Sequence, residues 1–148
     1  AGADVPCVIV NIVRGGPGLG GIQPAQSDYY QAVKGGGHGD YHLVVLAPSS
    51  IQEMVDLTAD AFDIGDKYRC PVMIMGDGML GQMMEPVEFK EITANKVEKP
   101  WAVTGTKGER QHNVVNSLYL KPEVLEKTNF ESKRIAAELF LLLLNRRC

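Results

Sequence analysis

Residues 10–21 read VNIVRGGPGLGG, and the reading of this stretch decides how the rest of the chain is organised. An apolar run, Val8 to Val13, stops at Arg14 and gives way to Gly15, Gly16, Pro17, Gly18, Leu19, Gly20 and Gly21. A run of β-branched residues that does not alternate with polar ones reads as a strand of a parallel sheet, buried on both faces. The glycines behind it let the backbone turn sharply and approach a ligand closely. In open α/β sheets, ligands bind at the carboxyl ends of the strands. Arg14 stands at such an end, and its planar, permanently charged fork suits a carboxylate or a phosphate. Arg14, Gly15 and Gly16 are therefore the expected ligand-binding residues, with Pro17 and Gly18 in the loop around them.

Composition bounds the possibilities. The chain has 148 residues, 45% hydrophobic and 22% charged. That is enough for one domain with a sizeable core and is ordinary for a soluble globular protein. A net charge of −3 with no basic stripe gives no reason to expect nucleic acid. The longest apolar run, Leu139 to Leu144, is far too short to span a bilayer. No secretory signal is visible. Cys7, Cys70 and Cys148 lack CxxC spacing. They read as reduced thiols of a cytoplasmic protein, not as a zinc or iron–sulfur site built by this chain alone. The chain opens at Ala1 without a Met and reaches its first strand almost at once. A parallel sheet with so few strands would be small, so a partial domain of something larger is expected.

In chain order, Val5 to Val13 is the first strand. Residues 14–40 form a glycine-rich excursion, interrupted by a short helix over Ser27 to Lys34 capped by Ser27 or Asp28. A loop of this length inside a domain is usually functional or disordered. His42 to Ala47 is the second strand. The clearest helix is Ile51 to Tyr68, where Ser50 and Glu53 have the spacing of a capping box. Ile51, Met54, Val55, Ala61, Phe62 and Tyr68 form its apolar face. Val72 to Met75 is the third strand, and strand–helix–strand is a right-handed crossover unit of a parallel sheet. Met79 to Met84 reads as a methionine-rich loop. Trp101 to Gly105 and Val114 to Leu120 read as short extended pieces. Pro122 suits the first turn of a helix, and Glu131 to Arg147 is a helix whose wide apolar band should dock on something. Residues 1–128 are thus assigned to the α/β domain and 129–148 to a C-terminal helix of open role.

Three motifs carry competing chemistry. Gly16, Gly18 and Gly21 satisfy G-x-G-x-x-G after a strand, the dinucleotide fingerprint. The helix that should open on the third glycine is missing, and Asp40 precedes its strand instead of ending one. Gly76-Asp77-Gly78 matches the start of a magnesium-diphosphate motif, but Asn95 falls too early and Asn113 and Asn116 too late to complete it. Asp77 reads as a turn residue. His38 and Asp40, in GHGD, suit an acid–base pair in which the carboxylate fixes the imidazole tautomer. The same pair also suits a loop held by hydrogen bonds, which is the favoured reading. No metal site is assigned.

The stretches PCVIVNIVRGGPGLGG, QSDYYQAVKGGGHGDY, LAPSSIQEMVDLT, AFDIGDKYRCPV and GDGMLGQMMEPVEF together resemble the α subunit of 2-oxoacid:ferredoxin oxidoreductases. The branch acting on branched-chain 2-oxoacids such as 2-ketoisovalerate is the most similar. The resemblance runs in order from about Val5 to Leu120, and Ser132 to Cys148 departs from it. It implies a doubly wound, mostly parallel α/β fold, the latter half of the domain that meets the aminopyrimidine end of thiamine diphosphate. It implies that Arg14 lies where the substrate carboxylate binds; Gly15 and Gly16 are assigned beside it, and Pro17, Gly18, His38 and Asp40 are assigned to the site loops from the glycine clusters. It implies oxidative decarboxylation to acyl-coenzyme A with reduction of ferredoxin. The partners implied are the β and other subunits, which mainly hold thiamine diphosphate, magnesium and the iron–sulfur clusters; this chain alone binds none of them tightly. A non-catalytic binding or scaffolding module of the same fold, and a free-standing dinucleotide-binding protein, are the alternatives.

Overall fold

The computed structural model describes residues 1–91 and 98–145. Its elements, in chain order, are β1 (Cys7–Val13), α1 (Tyr29–Val33), β2 (Val44–Leu46), α2 (Ile51–Tyr68), β3 (Pro71–Asp77) and α3 (Pro122–Asn145). The three strands form one parallel sheet in the order β1-β3-β2. The register runs from Cys7 opposite Pro71 to Val13 opposite Asp77, so β1 and β3 end level with each other. β2 is shorter than its expected span and pairs only Val44 to Leu46 with Val72 to Ile74.

The core lies between β3 and α2. Val72 and Ala61 are fully buried, Ile74 nearly so, and Val44, Leu46 and Leu139 complete the cluster. Strand alternation puts Val72, Ile74 and Gly76 on this face. A Cβ at Gly76 would lie 3.0 Å from Met54 and 3.2 Å from Ile12, so the glycine lets helix and neighbouring strand come close.

The expected burial of β1 on both faces does not hold. Val10 is 60% exposed and Ile9 and Ile12 are 39% exposed. The cause is position: β1 is the outer strand, paired only with β3.

α2 has the expected bounds. The Ser50 hydroxyl accepts the Glu53 amide at 3.1 Å, while the Glu53 carboxylate accepts the amide and hydroxyl of Ser49, both at 2.7 Å. The reciprocal half of the capping box is thus displaced one residue outward. Phe62 is a correction: it is 60% exposed. The inward stripe is Met54, Leu57, Ala61, Ile64 and Tyr68, and Phe62 lies one residue, about 100°, off it.

The polar stretch after β3 is tied along α2. Glu85 accepts the Ile51 amide, Gln52 exchanges two hydrogen bonds with the Glu88 backbone, and Lys90 pairs with Asp56 at 2.6 Å. The hydrogen bond from Lys90 holds the Asp56 carboxyl below the usual carboxylate range. Trp101 to Gly105 and Val114 to Leu120 form no strand. They are held by side chains instead: Arg69 stacks 4.7 Å over Trp101, and the Tyr119 hydroxyl donates to Gly2.

α1 is shorter than expected. Asp28 precedes it without capping it, its carboxylate accepting from the Asn11 amide at 3.2 Å. α3 begins at Pro122, well before Glu131, and continues without a break through residues 128 and 129. Leu139 is buried in the core and Ile135 packs beside it, so part of the helix's apolar band docks on the chain itself. Phe130 and Phe140 remain 64% exposed. The expected end at Arg147, like Cys148 and Asn95, lies outside the described residues.

Ile74→Ala, which empties the centre of the core, is expected to cost about 2–5 kcal/mol. Phe62→Ala, at the exposed rim, is expected to cost less than about 1 kcal/mol. Urea unfolding midpoints of the two variants check both the core and the corrected face of α2.

Candidate functional site at the carboxyl edge

The level ends of β1 and β3 place two glycine-rich turns side by side. The Gly78 amide donates to the Val13 carbonyl at 2.8 Å, joining the turn after β3 to the end of β1. Beyond Val13 the chain folds back on itself. Arg14 bridges Pro24 in antiparallel fashion, the Gly15 amide donates to Gln23, and the Gly21 amide donates to Gly15. Gly20 sits inside this return at φ +57°, where a Cβ would fall 1.7 Å from the Gly15 oxygen. Only glycine fits there. A Cβ at Gly78 would touch Val13, Pro24 and Ile22, so the loop rests against the β3 turn.

Asp77 closes that turn. Its carboxylate accepts the Met79 and Leu80 amides, both at 3.0 Å, which is the turn role read from the sequence. No helix opens on Gly21, and α1 begins only at Tyr29, so the dinucleotide fingerprint lacks its structural context.

Arg14 is exposed at the foot of the loop, and its guanidinium has no hydrogen-bond or ion-pair partner among the described residues. Gly15, Gly16, Pro17 and Gly18 follow it in the same loop. Next to the Arg14–Pro24 bridge lies a cavity of about 300 Å³, walled by Val13, Tyr29, Val33, Val45, Met75 and Leu80. Asp77 stands in its lining, and no Lys, Arg or His does.

His38 and Asp40, the expected site-loop residues, lie in the segment between α1 and β2. Both precede β2, whose amino end lies at the opposite edge of the sheet from Val13. Asp40 lines a cavity of about 560 Å³ with His42 and the first half of α3, including Glu126 and Lys133. The His38 ring contacts the Gly39 carbonyl at 3.4 Å, and no His38–Asp40 hydrogen bond forms among the described residues. Asp40 has φ +61°, a turn conformation that Asp tolerates better than most residues. The wall residues Tyr29, Val33, Val45 and Leu80 were missed by sequence reasoning. Their signal was only topological: whatever follows the ends of β1 and β3, or packs over them, meets at this edge.

A parallel sheet with α2 packed on one face and paired glycine turns at its carboxyl edge defines an α/β domain. Residues 1–140 match the family model described as pyruvate flavodoxin/ferredoxin oxidoreductase, thiamine diP-bdg, and the chain belongs to that family. The match reaches into α3, past Ser132, where departure from the family was expected. The chain is 53% identical over 131 residues to the ketoisovalerate oxidoreductase subunit VorB of Methanothermobacter marburgensis, covering 88% of this chain and 37% of that protein. It is 46% identical over 84 residues to the 2-oxoglutarate synthase subunit KorA of Methanocaldococcus jannaschii, covering 57% and 23% of the two chains. It also resembles the solved structure of 2-oxoglutarate:ferredoxin oxidoreductase from Magnetococcus marinus, with a TM-score of 0.66 and 22% identity, over 92% of this chain and 29% of that one. The chain therefore spans little more than a third of the first of these relatives.

The family's description names thiamine diphosphate, whose diphosphate is held through magnesium by carboxylate and carbonyl oxygens. The described residues do not fit that end of the cofactor. One Asp77 oxygen is already engaged by two backbone amides, and no group of three His, Cys, Asp or Glu side chains converges among the described residues.

Gly20→Ala is expected to cost at least about 1 kcal/mol of stability and to break the Gly21–Gly15 hydrogen bond. Gly16→Ala, with no atom within 4 Å of the added methyl, is expected to be tolerated. Amide exchange at Gly21 separates the two. Calorimetry with magnesium and thiamine diphosphate is expected to give no submillimolar binding to this chain alone; such binding would show a cradle that these residues do not explain.

Proposed function

We propose that the chain is part of a subunit of a thiamine-diphosphate-dependent 2-oxoacid:ferredoxin oxidoreductase acting on branched-chain 2-oxoacids. The reaction releases the carboxylate as carbon dioxide, passes the acyl group to coenzyme A and delivers two electrons to ferredoxin. The similarity to a ketoisovalerate oxidoreductase subunit supports the substrate class. Thiamine diphosphate, with its magnesium, and the iron–sulfur clusters would be held mainly by the β and other subunits. The cysteine pattern supports a cytoplasmic place, and no described helix is long and apolar enough to cross a membrane.

The observation that carries the reading is Arg14, a partnerless guanidinium on a braced loop at the carboxyl edge of the sheet. A structural arginine in such a loop would be expected to bond the loop's own carbonyls, and none accepts from it among the described residues. Bidentate contact with the substrate carboxylate would fix the orientation of the 2-oxoacid. The same grip stabilises the group that must leave, so Arg14 should serve binding and orientation more than bond breaking. Gly15 and Gly16 give the carboxylate room beside the backbone.

In the intact complex, Arg14→Lys keeps the charge but loses the two-pronged contact. Losing a charge-assisted hydrogen bond of about 1.5–3 kcal/mol is expected to lower kcat/KM roughly ten- to a hundred-fold, mainly through KM. Arg14→Ala is expected to cost more. The comparison uses a 2-oxoacid as substrate and its uncharged methyl ester, which cannot lose carbon dioxide, as a competitive inhibitor; an equal rise in KM and Ki would make Arg14 a loop brace and sink the carboxylate role.

A further inference from the structure

We infer that the cavity between α1 and the ends of β1 and β3 receives the branched aliphatic side chain of the 2-oxoacid, and that Val33, Val45 and Leu80 select it against acidic side chains. The inference rests on the proposed function and assigns a part of the same site. Three observations lead to it. First, the cavity adjoins the carboxylate-binding loop: Val13 in its wall precedes Arg14, and Ala25 in its wall follows Pro24, the bridge partner of Arg14. Second, its volume of about 300 Å³ is at the lower end of the range for ligand pockets, roughly 300–1,000 Å³, which suits a small substrate. Third, its chemistry is one-sided. The wall is dominated by valine, alanine, methionine, leucine, proline and a tyrosine ring, with no cation. The one charged group in the lining, Asp77, is negative, with an oxygen committed to the turn. A second carboxylate brought into this space would find no positive partner and would face a like charge, both of which disfavour its entry.

Selection follows from the walls. Leu80 is half-buried just after the Asp77 turn, and Val33 closes the side formed by α1 at 36% exposure. Val45 comes from β2, in register with Met73, and lies on the sheet face away from the α2 core. A hydrophobic pocket distinguishes one methylene by roughly ten- to two-hundred-fold in kcat/KM, so moderate changes in these walls are readable.

The test uses the intact complex with 3-methyl-2-oxobutanoate, 4-methyl-2-oxopentanoate, 2-oxobutanoate and 2-oxoglutarate. Leu80→Arg places a cation in the wall and is expected to move the kcat/KM ratio toward 2-oxoglutarate by at least about tenfold. Val33→Phe, at a partly exposed position that tolerates bulk, fills the cavity from α1. It is expected to penalise 4-methyl-2-oxopentanoate about tenfold more than 2-oxobutanoate. Ratios are independent of the fraction of folded enzyme, so partial misfolding does not mimic either result. If the parent complex turns over these acids and neither variant moves its ratio beyond about twofold, or both lose all substrates equally, the cavity assignment is overturned while the proposed function stands. If the parent complex turns over no 2-oxoacid, the proposed function itself falls, and the assignment with it.

Discussion

The parallel pairing of β1 with β3 is the constraint from which the rest of the molecule follows. Seven residues of each strand lie in register, and both strands stop at the same level. One face of β3 presents Val72, Ile74 and Gly76 to α2, and that packing forms the core. The level ends present two turns to each other, joined by the Gly78–Val13 hydrogen bond. Shifting the register by one residue would turn Val72 and Ile74 away from α2 and separate the two turns. Core and functional edge therefore depend on the same ladder.

The two edges of the sheet carry different chemistry because all three strands run the same way. The carboxyl edge collects the glycine loop, the Asp77 turn and α1. The amino edge collects the segment entering β2 and the first half of α3, with Asp40, His42, Glu126 and Lys133 around a cavity that Leu125 and Phe130 also line. At the carboxyl edge, Arg14 is an exposed cation beside a wall that is largely apolar.

Strong periodicity made the crossover unit legible. The α2 bounds and the parallel β2–α2–β3 connection follow from a capping serine, an apolar stripe and a β-branched run, all of them local signals. The edge position of Arg14 was legible for the same reason, since a strand followed by glycines has only one end at which to place it. The burial of β1 was not, because composition says that a strand is apolar but not whether a neighbour covers it. The placement of Asp40 was not legible: a histidine beside a carboxylate looks the same in sequence at either edge, and the direction of β2 puts Asp40 in the cavity beside α3. Phe62 failed by about 100° of helix rotation, which a list of apolar positions does not resolve when a neighbouring alanine serves the core.

Under the proposed function, the placement of an exposed cation next to a largely apolar cavity has a physical logic. Every 2-oxoacid carries the same carboxylate and carbonyl, so a grip by Arg14 adds affinity for the class without choosing among its members. Choice has to come from the remaining substituent, and an apolar wall discriminates weakly between alkyl groups but strongly against charge. Placing the two roles on different elements lets one vary without the other: Arg14 belongs to the braced loop after β1, while the selecting residues Val33, Val45 and Leu80 come from α1, β2 and the turn after β3. Substitutions in the wall can then retune the side chain accepted while the carboxylate stays where the loop holds it. The tight return at Gly20 keeps that anchor fixed, because it closes the loop by backbone contact and leaves the guanidinium free of any bracing duty.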